Sequence, residues 1–458
     1  MEVIKELILQ PSVIVGILVL AGMLLQKKAP EVIFAGVIKA MLGFQTIVVA
    51  GRVIYTAVEP FGKMFQKAFH ISGIVVSTDA STGLIINQYG TQVAIIMLGG
   101  LLMNLLLAKI TQFRYVFTTG HHVLDMACIL ACVINHYQVQ GIQGYLIAVM
   151  TLGISCVLFP AILQKYTVKI CGNDKVALGH FGSTAYFISA FLGRLYGDPE
   201  KSAEKIRIPK RLSFVRDTFV MVGITMTIMY MIVAAAAGKS YVESLSGGIN
   251  YLVYAFQQAL MFTVGFGICM TGVRWMLNEI VPAIRGFSVK WLPNARAAVD
   301  CPVVFGRSPN ALIIGFVCSF MGGLTALVIM RACHLTMILP GIMIHFFCGG
   351  TSGVYGNSTG GIKGTVLGSF VSGIYVTMLP LLFLPHIQVT GIKNVTFADP
   401  DMGFAALLIG SWIRRTGYMG TIIILTGIII IMVLIPQMLK NRQKDTPQFM
   451  EDRSDNYK

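Results

Sequence analysis

The sequence predicts an all-α protein that crosses a membrane many times. Of its 458 residues, 55% are hydrophobic and only 12% are charged, and the mean hydropathy is +0.75. An ordinary soluble domain carries about twice that share of charged residues. The apolar residues are gathered into runs of about 17 to 25, the length that a helix needs to cross a bilayer. They do not alternate with polar residues, as they would in a membrane β-barrel.

Eight runs are long enough to span a membrane as single helices, and four stretches are shorter or interrupted. The long runs lie at about 7–25, 31–50, 91–108, 142–163, 218–237, 310–330, 365–385 and 419–438. The other stretches lie near 123–137, 251–272, 335–348 and 402–413. Because glycine and polar residues break these stretches, we expect further spans, re-entrant hairpins or interfacial helices there.

The net charge of +15 comes from lysine and arginine in the predicted loops, so it does not indicate a nucleic-acid partner. In membrane proteins such residues remain on the cytoplasmic side. The densest basic stretch lies at 194–217, and the tail is basic at 440–444. With Lys27 and Lys28 in the first turn, this pattern predicts an outside N-terminus and a cytoplasmic C-terminus, which requires an odd number of crossings.

These features divide the chain into a first membrane half (1–193), a basic cytoplasmic loop (194–217), a second membrane half (218–438) and a cytoplasmic tail (439–458). The halves share a pattern that either chance or an internal repeat can produce. The similar positions are Gly43-Phe44, Gly51-Arg52 and Glu59-Pro60 in one half, and Gly265-Phe266, Gly272-Val273-Arg274, Glu279 and Pro282 in the other. If each half has an odd number of spans, the repeat is inverted and the site lies between the halves near midplane.

Three short polar clusters interrupt the apolar sequence and are the first candidates for a binding site. They are Thr-Gly-His-His with an aspartate at 119–125, Gly-His at 179–180, and Val-Asp-Cys at 299–301. Ionisable side chains are costly inside a membrane, and those that occur there are typical of functional sites.

Each cluster can be interpreted as part of a binding site, and the second and third clusters also have a structural interpretation. His121 and Asp125 share a face of a helix and can hold one hydroxyl between a donor and an acceptor. His180 has flexible glycine neighbours that let a ligand come close, although a single histidine in an apolar segment is more often structural. Asp300 needs a ligand or a partner, and Arg296, one turn earlier, is the alternative partner.

Three further segments are candidates for the lining of a site. The hydroxyl-rich run at 77–82 suits a polyol, although a solvated loop fits its composition equally well. The stretch at 348–364 is too rich in glycine, serine and threonine for a lipid-facing helix, so we expect a gate or substrate lining, or an extramembrane loop. Pro309-Asn310 predicts the beginning of a helix whose positive end would point toward an anionic ligand.

The nine cysteines lie mostly in apolar segments and lack the spacing of a disulfide framework. We interpret them as buried thiols. Cys128 and Cys132 are one helical turn apart, but no further cysteine or histidine nearby completes a tetrahedral metal site. The sequence therefore predicts neither a metal nor a cofactor.

Four segments resemble the IIC permease component of the ascorbate-specific phosphotransferase system, in the ascorbate/galactitol-type IIC family. They are TTGHHVLD (118–125), LGHFGSTAYF (178–187), AVDCPVVFGRSPNALIIGF (298–316) and ILPGIMIHFFCGGTSGVYGN (338–357). They contain Thr-Gly-His, Gly-His, Asp-Cys and Ser-Pro-Asn motifs in the order of the family. The match is ordered and spans nearly the whole chain.

The resemblance implies a homodimer with eleven transmembrane segments per subunit, divided into a substrate-carrying core and a dimerisation domain. The core is expected to move as a rigid body, as in an elevator. The positions implied to surround the substrate are Thr78, Asp79, His121, Asp125, His180, Phe181 and Asp300.

Three of these positions depart from the family pattern. Ascorbate permeases usually carry tyrosine where this chain has Asp79, and glutamine where it has Asp125 and Phe181. Ascorbate is an anion at neutral pH, so an added carboxylate repels it unless that carboxylate is protonated or paired. We therefore expect L-ascorbate or a related sugar, polyol or sugar acid as the substrate.

The implied function is that of a transport subunit, not of an enzyme by itself. A separate cytoplasmic IIB subunit, supplied with phosphate by IIA, would phosphorylate the sugar at the cytoplasmic face of a bacterial membrane. The basic loop would bind IIB, or would only set topology and contact anionic lipid. Two other functions stay open: an ion-coupled transporter using Asp125 or Asp300, and an intramembrane enzyme with His121, His122 and Asp125 as its centre.

Overall fold

Helices make up most of the protein and confirm the predicted class. The computed structural model describes residues 10–69, 73–174, 176–206, 218–292, 295–388 and 395–444. The helices of the first half are α1 (Pro11–Leu25), α2 (Pro30–Phe69), α3 (Thr78–Ile110), α4 (Gly120–His136), α5 (Gly141–Cys171) and α6 (Ser183–Tyr196). Those of the second half are α7 (Thr218–Ala237), α8 (Lys239–Leu245), α9 (Tyr251–Trp291), α10 (Pro302–Phe305), α11 (Pro309–Ala332), α12 (Ile342–Ile344), α13 (Gly350–Met378), α14 (Pro380–Phe383) and α15 (Pro400–Lys444).

Several of these helices are suited to a bilayer. Within the described residues, seven are long and apolar enough to cross it, and α7 with α8 forms an eighth candidate that is bent by 112°. Large apolar side chains such as Phe34, Ile142 and Val328 are exposed on their outer faces, where lipid would cover them. The protein is thus a multi-pass membrane protein, while the number of eleven spans stays a prediction.

Six short strands, which the sequence analysis did not predict, form two parallel sheets. They are β1 (Gly73–Val76), β2 (Tyr115–Phe117), β3 (Val176–Leu178), β4 (Arg296–Val299), β5 (Met337–Leu339) and β6 (Val395–Thr396). The strand orders are β5-β1-β6 and β2-β4-β3, and every pair is parallel. In each sheet the central strand from one half of the chain lies between two strands from the other half. An internal repeat would give this order, although the repeat itself stays a prediction.

Glycines allow α2 and α9 to pack closely along each other. A Cβ atom at Gly43 would lie 2.6 Å from the carbonyl oxygen of Gly272, and one at Gly265 would lie 2.7 Å from the side chain of Ile54. Small residues at such crossings are typical of helix pairs in membranes. Gly43, Gly265 and Gly272, three of the glycines that are similar between the two halves, therefore lie at one helix interface.

The glycine-rich stretch at 348–364 is helical apart from a break at Gly361, so the expected extramembrane loop was wrong, while a role as a gate or substrate lining stays a prediction. It begins in a π turn (His345–Gly349) and continues into α13. Gly353 packs on the backbone of α11, and Gly360 packs on the backbone of α6. The small residues are thus explained by close contact between three helices. The helix is interrupted at Gly361, where φ is +57°.

The described part of the basic loop is folded against α11 and α13. The Glu204 carboxylate accepts hydrogen bonds from the backbone N–H groups of Asn310 and Ala311, at 3.2 and 2.9 Å. The side chain of Asn310 donates to the carbonyl oxygen of Ile206 at 2.6 Å. The positive end of α11 is therefore occupied by a carboxylate of the protein itself, contrary to the expected anionic ligand. Four of the loop's seven lysine and arginine residues fall at 207–217, outside the described residues.

All nine cysteines lie in the described residues, and all are free thiols. Seven are buried, as predicted, whereas Cys318 is partly buried and Cys333 is exposed. Cys128 and Cys132 do not belong to any compact group of potential metal ligands in the part of the chain that the structure describes.

Candidate functional site

A cavity of about 640 Å³ lies at the carboxyl ends of both sheets. One lining residue follows each strand in the chain: Thr78 after β1, His121 after β2, His180 after β3, Asp300 after β4, Pro340 after β5 and Asp399 after β6. The carboxyl ends of parallel strands meet at one edge of a sheet, and binding sites form at such edges. The two sheets thus bring together the polar clusters that the sequence keeps apart.

Helix N-termini also face this cavity. Thr78 is the first residue of α3, and His121 and His122 lie in the first turn of α4. Backbone N–H groups give a helix N-terminus a partial positive charge, which stabilises anions and hydrogen-bond acceptors placed there. Asp399 lies beside the N-terminus of α3, because it accepts the hydroxyl of Thr78.

Asp300 has a histidine partner within the cavity. His121 Nε2 lies 3.5 Å from Asp300 Oδ2, and the two side chains are 21% and 31% exposed. The other carboxylate oxygen accepts the N–H of Cys301 at 2.6 Å. Arg296, the alternative partner, instead forms an ion pair with Asp174. The structural interpretation of Asp300 was therefore wrong, and its carboxylate is available to a ligand beside His121.

Asp125 also lines the cavity but has a different partner. Its Oδ1 accepts a hydrogen bond from the hydroxyl of Thr82 at 2.7 Å. His121 and Asp125 therefore line one cavity, and the prediction that they hold one hydroxyl between them stays a prediction. Each side chain also has its own neighbour there, Thr82 for Asp125 and Asp300 for His121.

Thr78 is joined to Asp399, an acid that the sequence analysis missed. The Thr78 hydroxyl donates to Asp399 Oδ2 at 2.8 Å and accepts the N–H of Ala398 at 2.9 Å. The available signal was the Asp-Pro-Asp sequence at 399–401, immediately before an apolar run. Asp79 belongs to the backbone of α3, but its side chain is outside the described residues.

His180 and Phe181 have different positions relative to the cavity. His180 lines it, and its Nδ1 lies 2.8 Å from the Tyr186 hydroxyl. Phe181 is fully buried behind the site and does not line the cavity. Its ring stacks on Phe117, with centroids 4.8 Å apart, and packs edge-on against His122. The structure therefore places Phe181 as support for His122 instead of in contact with a ligand.

Asp401, which the sequence analysis also missed, fixes the turn that carries His180. This fully buried carboxylate accepts the N–H groups of Ser183 and Thr184, at 2.6 and 2.8 Å, and the Thr184 hydroxyl at 2.7 Å. The backbone N–H of Asp401 donates to the carbonyl oxygen of Phe181 at 2.9 Å. Asp401 therefore caps α6 and connects the beginning of α15 to the His180 turn.

The opposite wall of the cavity is apolar and comes from α2, α7 and α9. Its side chains include Phe61, Val222, Met226, Met229, Phe262 and Phe266. Arg274 is exposed at this wall and is the only lysine or arginine among the described residues that line the cavity. One side of the cavity thus offers many hydrogen-bonding groups and the other offers almost none.

Histidine and carboxylate side chains in this site are close enough to consider a metal. Three overlapping groups have their potential ligand atoms within 4.8 Å of one another. They are His121, His122 and Asp300; His122, His180 and Asp399; and His180, Asp300 and Cys301. The same side chains are equally suited to hold the hydroxyl groups of a ligand, so geometry alone does not select a metal.

The long apolar helices and a cavity with ionisable groups on one side define a multi-pass membrane protein with a candidate small-molecule site. Residues 6–401 match the model of a family described as "PTS system sugar-specific permease component", and the chain belongs to this phosphotransferase-system family. The chain is also similar to the "Ascorbate-specific PTS system EIIC component" of Mycoplasma pneumoniae (strain ATCC 29342 / M129), with 24% identity over 412 aligned residues. That similarity covers 78% of this chain and 62% of the relative, so the chain spans less than two thirds of the relative's length. The resemblance found in the sequence is confirmed.

Proposed function

We propose that this chain is the membrane-embedded IIC permease of a phosphotransferase system and translocates L-ascorbate or a related sugar or polyol. The observation that carries the proposal is the cavity at the strand ends, with imidazole, carboxylate and hydroxyl groups on one side. Its volume of about 640 Å³ lies in the usual range of small-molecule sites. The family and the name of the bacterial relative support a sugar as the substrate.

The pairing of the carboxylates accommodates either a neutral or an anionic sugar. Asp125 accepts from Thr82, Asp300 faces His121, and Asp399 accepts from Thr78. Hydrogen-bond donors and an imidazole next to these carboxylates stabilise their negative charge, which reduces the repulsion between the carboxylates and an anionic sugar. Each pair also presents donors and acceptors to sugar hydroxyl groups. L-Ascorbate is the first substrate to test because the bacterial relative is named for it.

Translocation is proposed to follow an elevator-type movement. Helices α2, α7 and α9 pack on one another and provide the apolar wall, whereas α6 and α11 pack on α13 to form another helix group, next to the His180 turn. Apolar side chains make no directional hydrogen bonds, so the helices on the polar side of the cavity can move along this wall without breaking such bonds. If these helices moved together as one rigid body, they would carry the site across the membrane.

The proposed partners are a cytoplasmic IIB subunit, the IIA subunit that supplies it with phosphate, and a second copy of this chain. The protein would lie in the bacterial cytoplasmic membrane, with its N-terminus outside and its C-terminus inside. Lys201 and Lys205 of the basic loop are exposed, which supports this face for a partner that carries an anionic phosphocysteine.

Binding to a panel of sugars tests the substrate assignment. The purified chain in detergent would be heated with L-ascorbate, xylitol, galactitol or a sugar acid, and its unfolding midpoint recorded. We expect at least one of these compounds to raise the midpoint, because a ligand that binds only the folded state stabilises it. No shift with any of them would contradict the proposed function.

Uptake into membrane vesicles tests the coupling. Vesicles that contain this chain should accumulate phosphorylated substrate only when IIB, IIA and a phosphoryl donor are supplied. Accumulation of unmodified substrate driven by a proton or Na⁺ gradient, without those proteins, would instead support an ion-coupled transporter.

A further inference from the structure

His122 is a buried imidazole whose polar atoms have no hydrogen-bond partner among the described residues. Its side chain is 3% exposed, and neither Nδ1 nor Nε2 is hydrogen-bonded. It lines the cavity beside His121 and His180, with ring centroids 4.4 and 4.0 Å from theirs. A buried polar group without a partner is costly, so one that faces a cavity indicates a place for a ligand atom.

Asp399 lies beside this imidazole in the cavity lining. Asp399 Oδ1 is 4.0 Å from His122 Nδ1, which is too long for a hydrogen bond. The other carboxylate oxygen accepts the Thr78 hydroxyl at 2.8 Å, which holds the carboxylate in place. The two side chains therefore face each other at a fixed separation without a direct bond.

A hydroxyl group fits this arrangement because it can donate one hydrogen bond and accept another. It would donate to the Asp399 carboxylate and accept the N–H of His122. A carboxylate or phosphate group would instead meet the negative charge of Asp399. The pair is more deeply buried than His121 and Asp300, whose side chains are 21% and 31% exposed.

We infer that His122 and Asp399 form a second binding subsite that takes a neutral hydroxyl of the substrate. The inference rests on the proposed sugar-permease function and narrows it. The substrate is a polyhydroxylated compound that presents an uncharged hydroxyl at the buried end of the cavity.

Binding of the full chain to L-ascorbate, xylitol and galactitol, and to the monodeoxy analogues of whichever compound binds, tests this subsite. Affinities would be measured by calorimetry for the wild type, His122→Gln, Asp399→Asn and the double variant. Each single variant should weaken binding at least about tenfold, because one hydrogen bond to a charged or buried group is lost. The double variant should bind about as weakly as either single variant, since one hydroxyl bridges both side chains. For the analogue that lacks this hydroxyl, the wild type and the variants should bind alike.

The unfolding midpoint without ligand shows whether each variant is folded, and His122→Asn replaces His122→Gln if that variant is not. His136→Gln, at the far end of α4 and outside the cavity, is the matched histidine control and should bind like the wild type. If the subsite variants bind normally while Asp300→Asn does not, the subsite is wrong and the proposed function stands. If the wild type binds none of the compounds, both are wrong. If Zn²⁺ alone stabilises the wild type but not the subsite variants, the residues form a metal site and the inference is overturned.

Discussion

The two sides of the cavity are built in different ways. On the polar side, each functional side chain follows a short strand, and many lie at or near the beginning of a helix. On the apolar side, the lining comes from the middle of long helices that contribute phenylalanine, methionine and valine. On the polar side, sheet hydrogen bonds fix the backbone. The apolar side presents a surface that makes no directional bonds.

This difference shows how a membrane protein can keep ionisable groups away from lipid. Strands within a membrane are tolerated only where they are buried in protein or line a cavity, and here β2, β5 and β6 are fully buried. Recognition is therefore concentrated where the backbone is fixed. The apolar wall contributes shape and exclusion of water, so substitutions on the two sides should affect different steps of transport.

The largest effect is expected on the polar side. Asp300→Asn and His121→Ala should each reduce uptake at least about a hundredfold, because each removes a charged or hydrogen-bonding group from the proposed substrate shell. The measurement is uptake of labelled substrate by cells, with protein in the membrane quantified by immunoblot. Asp198→Asn, an exposed acid paired with Lys201, is the control and should transport normally. Transport that survives in both variants would show that the polar side is not the substrate site.

A charge on the apolar wall should separate movement from binding. Met229→Lys should slow uptake about tenfold or more. The reason is that an ammonium group on the apolar wall is costly to keep away from water while the helices of the polar side move past it. Substrate affinity should change less than about threefold, since the wall makes few polar contacts. Met229→Leu is the matched control. Equal losses of affinity and uptake would show that the wall takes part in recognition.

Removing the buried cap on α6 should lower the stability of the protein and its substrate affinity, although Asp401 does not line the cavity. Asp401→Ala leaves the N–H groups of Ser183 and Thr184 unpaired and should lower the free energy of unfolding by about 1–3 kcal/mol. It should also reduce substrate affinity, because the His180 turn loses its support. Asp401→Asn retains an acceptor and should show smaller losses in both. Unfolding curves and calorimetry measure the two effects. A stability loss with unchanged affinity would limit Asp401 to a structural role.

The two departures from the family pattern whose side chains are described, Asp125 and Phe181, should not contribute equally to selectivity. Asp125→Gln should raise the preference for L-ascorbate over a neutral polyol several-fold, because it removes a negative charge from the cavity lining. Phe181→Gln should mainly destabilise the protein, since this ring is packed behind His122. Competition binding measures the preference. A change of preference in Phe181→Gln alone, with Asp125→Gln unchanged, would contradict the observed placement.

The smallest effect is expected at the amino-terminal end of the β2-β4-β3 sheet, where Arg296 pairs with Asp174. Hydrogen bonds from Arg296 and then Gln164 hold the pKa of Asp174 below its usual value. The folded state thus favours the carboxylate, so this contribution to stability is present above the ordinary aspartate pKa of about 4 and is lost as the pH falls below it. Arg296→Gln should cost less than about 1 kcal/mol, because water screens this exposed pair. Unfolding at pH 7 and pH 3 should show a larger difference between variant and wild type at pH 7 than at pH 3. A difference of equal size at both pH values would show that the charge of Asp174 is not involved.

The sequence by itself determined the membrane class and several residues of the site. Apolar run length is a local property, and helices that cross a bilayer are long enough to show it. His121, His180 and Asp300 were predictable because ionisable groups stand out in apolar segments. Their pattern also sufficed for the family.

Tertiary structure alone decided which of these residues meet and what supports them. The strands are only two to four residues long, so no alternation of side chains can reveal them, and they pair across the halves of the chain. Asp399 contacts Thr78 across 321 positions of sequence, and Asp401 caps a helix 218 positions earlier. The glycines of α13 looked like a flexible segment because their helical neighbours were unknown. A contact between distant segments depends on packing that one sequence does not display.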